Sequence, residues 1–155
     1  MVEIPLRNAL DHQLTCWAHG RGAGAFGQHR RAVWPPVHDD LVERQFAADG
    51  PNQLWLTDIS EHATREGKLY LCAVKDVYSG RIVGYSIDSR MKAHLAVAAL
   101  DNAVARRRLK GQSVAGCILH SDRGSQFRSR KLQHAINRHQ MVGSMGRVGA
   151  CLLTG

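Results

Sequence analysis

The sequence predicts a mixed α/β domain whose elements run β-β-β-α-β-α-β. Three observations carry this. From Gln53 onward, apolar runs of strand length are punctuated by turn residues. Helix-length patterns then separate the later apolar runs, as parallel strands joined by helical crossovers require. Hydrophobic residues form 44% of the 155 residues, enough for a real core in one domain.

In chain order, residues 1–33 show no helical or strand period. The stretch Trp17 to Gln28 alternates glycine, arginine and histidine, so an irregular or disordered arm is expected. His12, Cys16 and His19 have roughly the spacing of zinc ligands, but no Cys-x-x-Cys completes a set. Residues 34–51 form a linker with a short helix: Pro35-Pro36 blocks helix, Asp39 to Phe46 can form one or two turns behind an Asp39 or Asp40 cap, and Asp49-Gly50-Pro51-Asn52 is turn chemistry. The core spans 52–155.

Within it, Gln53 to Ser60 is a first strand and Lys68 to Val77 a second, nearly all apolar from Leu69 to Val74. Tyr78-Ser79-Gly80-Arg81 is a hairpin turn. Arg81 to Ser89 alternates as a third strand, Ile82, Gly84 and Ser86 on one face and Val83, Tyr85 and Ile87 on the other. His94 to Leu109 is an alanine-rich helix with Val97, Leu100 and Val104 at helical spacing; Arg106, Arg107 and Arg108 suit its C-terminus and Lys110-Gly111 stops it. Val114 to His120 is a fourth strand, Ser129 to Gln140 a second helix with Leu132, Ala135 and Ile136 inward, and Met141 to Met145 a fifth strand.

The formal net charge of +8 favours a polyanionic partner, nucleic acid first. Of the four cysteines none forms a Cys-x-x-Cys pair, and Cys72 and Cys117 sit in apolar runs, which suits a reducing cytosol better than a disulfide scaffold. No apolar run approaches the roughly 18 residues of a membrane span. The N-terminus lacks the apolar region of a signal peptide. A soluble, cytoplasmic protein is expected, with no membrane and no small-molecule substrate.

Two aspartates carry the chemistry. Asp58 lies within the apolar first strand, and Asp122 follows the fourth in His120-Ser121-Asp122-Arg123-Gly124-Ser125-Gln126-Phe127. Alone, either is compatible with a salt bridge or a capped turn. Together, at the ends of strands that can meet at one sheet edge, they suit Mg²⁺ or Mn²⁺, hard cations that take oxygen ligands. Bridging two ions takes further carboxylates. Glu61 and Asp76 are the nearby candidates, and Asp76, closer to Arg81 than to Asp58, reads as structural.

Leu54-Trp55-Leu56-Thr57-Asp58-Ile59-Ser60, then Ala73 to Tyr85 (AVKDVYSGRIVGY), then His120 to Phe127 closely resemble the catalytic core of insertion-sequence transposases, of the retroviral-integrase superfamily. The resemblance runs from about Val37 to Cys151. It implies an RNase H-like fold and a DDE site, with Asp58 and Asp122 as its two aspartates, catalytic and metal-binding. It implies DNA integration and transposition by metal-dependent phosphodiester cleavage and strand transfer. The family's glutamate follows a D-N-A-x-x-E segment and would fall just past position 155, and residues 123–155 contain no Asp or Glu. The fold is therefore expected to be incomplete at its C-terminus, and the fragment inactive. Arg123, Ser125, Gln126, Arg128, Arg130 and Lys131 are candidates for DNA phosphates. Partners implied are DNA, further copies of the chain, or full-length transposase, for which a non-catalytic DNA-binding remnant or inhibitor is the alternative reading.

Overall fold

The computed structural model describes residues 38–146; the expected arm over 1–33 and the approach to the family's glutamate segment lie outside the described residues. The elements are β1 (Leu54–Thr64), β2 (Gly67–Asp76), β3 (Ile82–Asp88), α1 (Ala93–Leu109), β4 (Ile118–Ser121), α2 (Arg130–Arg138) and β5 (Val142–Met145), in the expected order. One five-stranded sheet has the order β3-β2-β1-β4-β5. β1, β2 and β3 pair antiparallel, and β4 and β5 join parallel to β1.

The period of each strand divides the sheet into two faces. On one, Trp55, Cys72, Val74, Leu119 and Met145 bury against Leu95, Ala99, Leu100, Ala103 and Val104 of α1 and Leu132, Ala135 and Ile136 of α2. Each buried Leu contributes on the order of 1.5–3 kcal/mol, so this layer holds the helices. On the other, Leu54, Leu56 and Ile118 are covered by Val42, Phe46 and Ala48 from the segment before β1. That segment also caps the β5 edge, where the Met145 N–H donates to the Asp39 carbonyl (3.2 Å).

Four local differences from the sequence reading have identifiable causes. Residues 39–46 form a turn, not a helix: Asp40 Oδ1 accepts from Val42 and Glu43 N–H, and positive φ at Glu43 (47°) and Arg44 (66°) prevents propagation. β1 runs on to Thr64, because Ser60 to Thr64 stay paired with Leu71 to Gly67 across a two-residue hairpin. β4 is confined to Ile118–Ser121, since Gly116 takes φ +77° and the Cys117 N–H returns to the Val114 carbonyl. In β3 the pairing shifts between Val74 and Lys75. Val83 and Gly84 are both buried there, so Ile82 and Gly84 do not share a face as strict alternation predicts.

Gly84 is where α1 comes closest to the sheet. A Cβ there would stand 2.5 Å from the Ala99 carbonyl and the Ala103 nitrogen. Backbone cannot retreat as a side-chain tip can. Gly84→Ala is expected to lower unfolding free energy in urea by about 1–3 kcal/mol, the usual cost of overpacking; an unchanged midpoint would show that α1 shifts freely on the sheet.

Candidate metal centre

β1 delivers Asp58 and β4 delivers Asp122, and the register between them matters most. Leu54, Trp55 and Leu56 pair with Ile118, Leu119 and His120, each partner 64 residues further on. Asp58 and Asp122 are separated by the same 64 residues, so they fall at matching positions two residues beyond the last paired residues, Leu56 and His120. Asp58 continues the Leu54–Leu56 face, opposite the helices. The two carboxylates feel one another's charge.

Their surroundings differ. Asp58 is half-buried, and its Oδ1 accepts the Ile59 N–H at 2.8 Å. Burial, opposed by that hydrogen bond and reinforced by Asp122, pushes its carboxyl up to about 6. Asp122 is exposed, on a turn that folds under it: its Oδ1 accepts the Gly124 N–H at 2.9 Å. A Cβ on Gly124 would approach that oxygen to 2.9 Å, so this position favours glycine. Phe127, buried in the helix-side core, anchors the turn, and Ser129 caps α2 by accepting from the Leu132 N–H.

Other titratable groups near the pair are committed elsewhere. The Cys72 thiol is pushed up to about 12 by burial, with both aspartates adding to the effect, so it stays protonated and supplies no thiolate. His120 is buried, and burial lowers its pKa. Ser144 Oγ accepts from the Leu41 N–H (3.0 Å) and shares a hydrogen bond with His120 Nδ1 (2.9 Å). These contacts tie β4, β5 and the lead-in segment together behind Asp122. Glu61 falls on the alternate face of β1 and pairs with Lys68 at 2.7 Å, and that contact holds its carboxyl below the ordinary range. Asp76 is fully buried: Asn52 and Ser79 N–H groups and the Ser79 hydroxyl donate to it, and Arg107 lies at 3.4 Å. The reading of Asp76 as structural agrees with these bonds.

Among the described residues, no group of three or more His, Cys, Asp or Glu side chains is placed to hold a metal ion. Asp58 and Asp122 are both oxygen donors, the ligand type that hard divalent cations take. Of the six candidate DNA contacts, Ser125, Arg130 and Lys131 are exposed and Gln126 is half-buried. Arg123 Nε donates to the Gly146 carbonyl at 2.6 Å, and Arg128 buries its Nε. The His120–Ser144 and Asp76–Arg107 contacts join residues distant in sequence, and no local pattern announced them.

The folded pKa of Asp58 lies above its ordinary 3.8, so its protonated form favours the fold. Stability contributed this way is present below about pH 4 and lost as pH rises through about 6, up to about 3 kcal/mol for a shift of that size. Asp58→Asn is therefore expected to stabilise the metal-free protein at pH 7 and to lose that advantage at pH 4. Urea midpoints of both proteins across this range check it; an Asn variant no more stable at pH 7 would contradict the buried-carboxylate account.

Residues 48–151 match the integrase core domain family. Transposase InsF for insertion sequence IS3A of Escherichia coli (strain K12) is 43% identical over 121 residues, which is 78% of this chain and 41% of that protein. The insertion element IS600 uncharacterized 31 kDa protein of Shigella sonnei is 40% identical over 116 residues, 75% of this chain and 41% of its own. The chain thus spans about two fifths of the length of the curated relatives it matches. Among solved structures, the HTLV-2 integrase catalytic core domain in complex with magnesium has a TM-score of 0.52 at 21% identity, covering 62% of this chain and 60% of that one. A chain of the simian T-cell lymphotropic virus intasome structure gives 0.53 at 22%, covering 64% and 36%. These likenesses show the RNase H-like fold. No helix among the described residues is long and apolar enough to cross a membrane. With the family match over residues 48–151, the chain belongs to the integrase core domain family, the core carried by insertion-sequence transposases.

Proposed function

We propose that residues 52–155 are the catalytic-core portion of a DNA transposase, with 34–51 as its lead-in, and that Asp58 and Asp122 are the metal-holding carboxylates. The observation that carries this is the shared 64-residue offset, which sets the two acids at matching positions two residues beyond the last paired residues of β1 and β4. Bound Mg²⁺ or Mn²⁺ there supplies Lewis acidity toward a phosphodiester and its attacking water or 3′-hydroxyl. Asp58, half-buried and near pKa 6, must give up its proton to bind a cation, so affinity falls as pH drops below about 6. Asp122, exposed, stays open to solvent and DNA. Ser125, Arg130 and Lys131, exposed on the turn and helix start that follow it, would meet phosphates of the same DNA, as would Gln126 and Arg128; Arg123 is held to the Gly146 carbonyl.

Residues 123–155 supply no carboxylate, so these residues by themselves offer two ligands of the set. Activity then depends on a further carboxylate from elsewhere, because removing one member of a jointly acting site abolishes most turnover. The same observation favours a second reading, a non-catalytic DNA-binding form that associates with full-length transposase or with further copies of the chain.

Two measurements test this. Calorimetric titration with Mn²⁺ at pH 7.5 should show weak binding that Asp58→Asn and Asp122→Asn each remove; binding unchanged in both variants would overturn the assignment of the pair. On terminal inverted-repeat DNA with Mg²⁺ or Mn²⁺, the 155-residue chain alone should retain DNA without cutting or joining it. Turnover abolished by Asp122→Asn would show that a third ligand is dispensable.

A further inference from the structure

Charge is spread unevenly over this fold. α1 with its flanks (92–110) and α2 with its caps (129–140) hold eight Lys/Arg and one acid, Asp101, a net of +7. The other described residues hold eight Lys/Arg and ten Asp/Glu, a net of −2. The positive excess of the described residues therefore lies entirely in the helical layer, on the sheet face opposite Asp58. Helix-end compensation absorbs only part of it. Each helix C-terminus carries about half a negative charge. Arg107 is turned in toward Asp76, and Asp101 takes Arg138. Arg106, over the Tyr85 ring at 5.4 Å, Arg108 and Lys110 remain.

The excess is organised. Arg130, His134 and Arg138 recur at every fourth residue along the exposed flank of α2, behind the buried Leu132, Ala135 and Ile136. At their far end an open groove of about 430 Å³ lies between the helices, lined by Asp101, Val104, Ala105, Arg108, Arg138 and His139. His139, nearly buried, approaches Asp101 Oδ1 through Nε2 at 2.8 Å, and Arg108 Nη2 approaches its Nδ1 at 3.4 Å. Arg138 Nη2 donates to the same Asp101 oxygen at 2.6 Å. These contacts hold both guanidiniums at the groove while using few of the five donors each carries. Lys110, the C-cap of α1, is exposed two residues after Arg108. Because α1 runs back against the parallel strands, the groove at its C-terminal half lies toward the end of the sheet where those strands begin, and on the face opposite Asp58.

We propose that this track, His134 and Arg138 along α2 and then Arg108 and Lys110 at the end of α1, binds the phosphate backbone of duplex DNA. The duplex held there is not the segment whose phosphodiester reaches Asp58 and Asp122. The choice of DNA as the polyanion rests on the functional reading above; the existence of the track does not.

Fluorescence anisotropy of the full chain with a random-sequence 30-base-pair duplex, over a salt series, tests it. The triple variant Arg108→Gln, Lys110→Gln, Arg138→Gln should bind at least ten-fold more weakly at 100 mM salt. Its log affinity against log salt should flatten by about two to three, at about 0.9 for each phosphate no longer neutralised. A charge-matched triple on the sheet side, Arg65→Gln, Arg81→Gln, Arg90→Gln, should change affinity less than three-fold. If Arg138→Gln disturbs the helix pair by circular dichroism, Arg108→Gln with Lys110→Gln serves, with a slope change of about one to two. Mn²⁺ binding measured by calorimetry should be the same in the helical triple variant as in the unaltered chain, which separates failure of the track from failure of the metal assignment. Equal loss in both triples, or none in the helical one, overturns the track; preferential competition by RNA of the same length overturns its assignment to DNA.

Discussion

Everything at the candidate site depends on three parallel residue pairs, Leu54 with Ile118, Trp55 with Leu119 and Leu56 with His120. Side chains in a strand alternate with a period of two, so a slip of one residue between β1 and β4 would send one aspartate toward the helices and leave the other behind. The register is held from both faces. Trp55 and Leu119 are buried among the helices, while Leu54, Leu56 and Ile118 are sealed by Val42, Phe46 and Ala48. The lead-in segment thus helps to fix the spacing of two carboxylates with which it shares no covalent neighbourhood.

The aspartates are alike in chemistry and unlike in setting. Asp58 is drawn into the sheet and resists ionisation; Asp122 sits on an exposed turn shaped by Gly124 and anchored by Phe127. One acid is rigid and expensive to charge, the other accessible. On the proposed reading, a divalent cation would relieve the repulsion between them. Structural carboxylates are kept out of the contest: Asp76 is saturated by Asn52, Ser79 and Arg107, and Glu61 by Lys68.

Much of this was legible in the sequence. Strand and helix order followed from apolar period and turn residues, because each element buries one face against the same core. The neighbourhood of Asp58 and Asp122 was legible from one lying within an apolar run and the other just after one, although β1 continues past Asp58 to Thr64. The Asp40–Arg44 turn was not, because Asp40 caps a turn as readily as a helix and nothing local announces positive φ at Glu43 and Arg44. The bulge at Val83–Gly84 escaped alternation for a similar reason: α1, packing on Gly84, decides which residues are buried. The contacts of Arg107 with Asp76 and of His120 with Ser144 span separations that no local period reaches.

The parallel pairing of β1 with β4 has a kinetic side. Its two strands are separated by the whole β2–β3 hairpin and α1, so this pairing must close a long loop before any contact repays the entropy. The hairpins and α1 can form early from neighbours in sequence, but β4 has only four residues and gains its partners on either side from distant chain. The aspartate pair therefore comes into being among the last events of folding. Until then Asp58 is an ordinary solvated acid, and a cation that needs both carboxylates has nothing to bind.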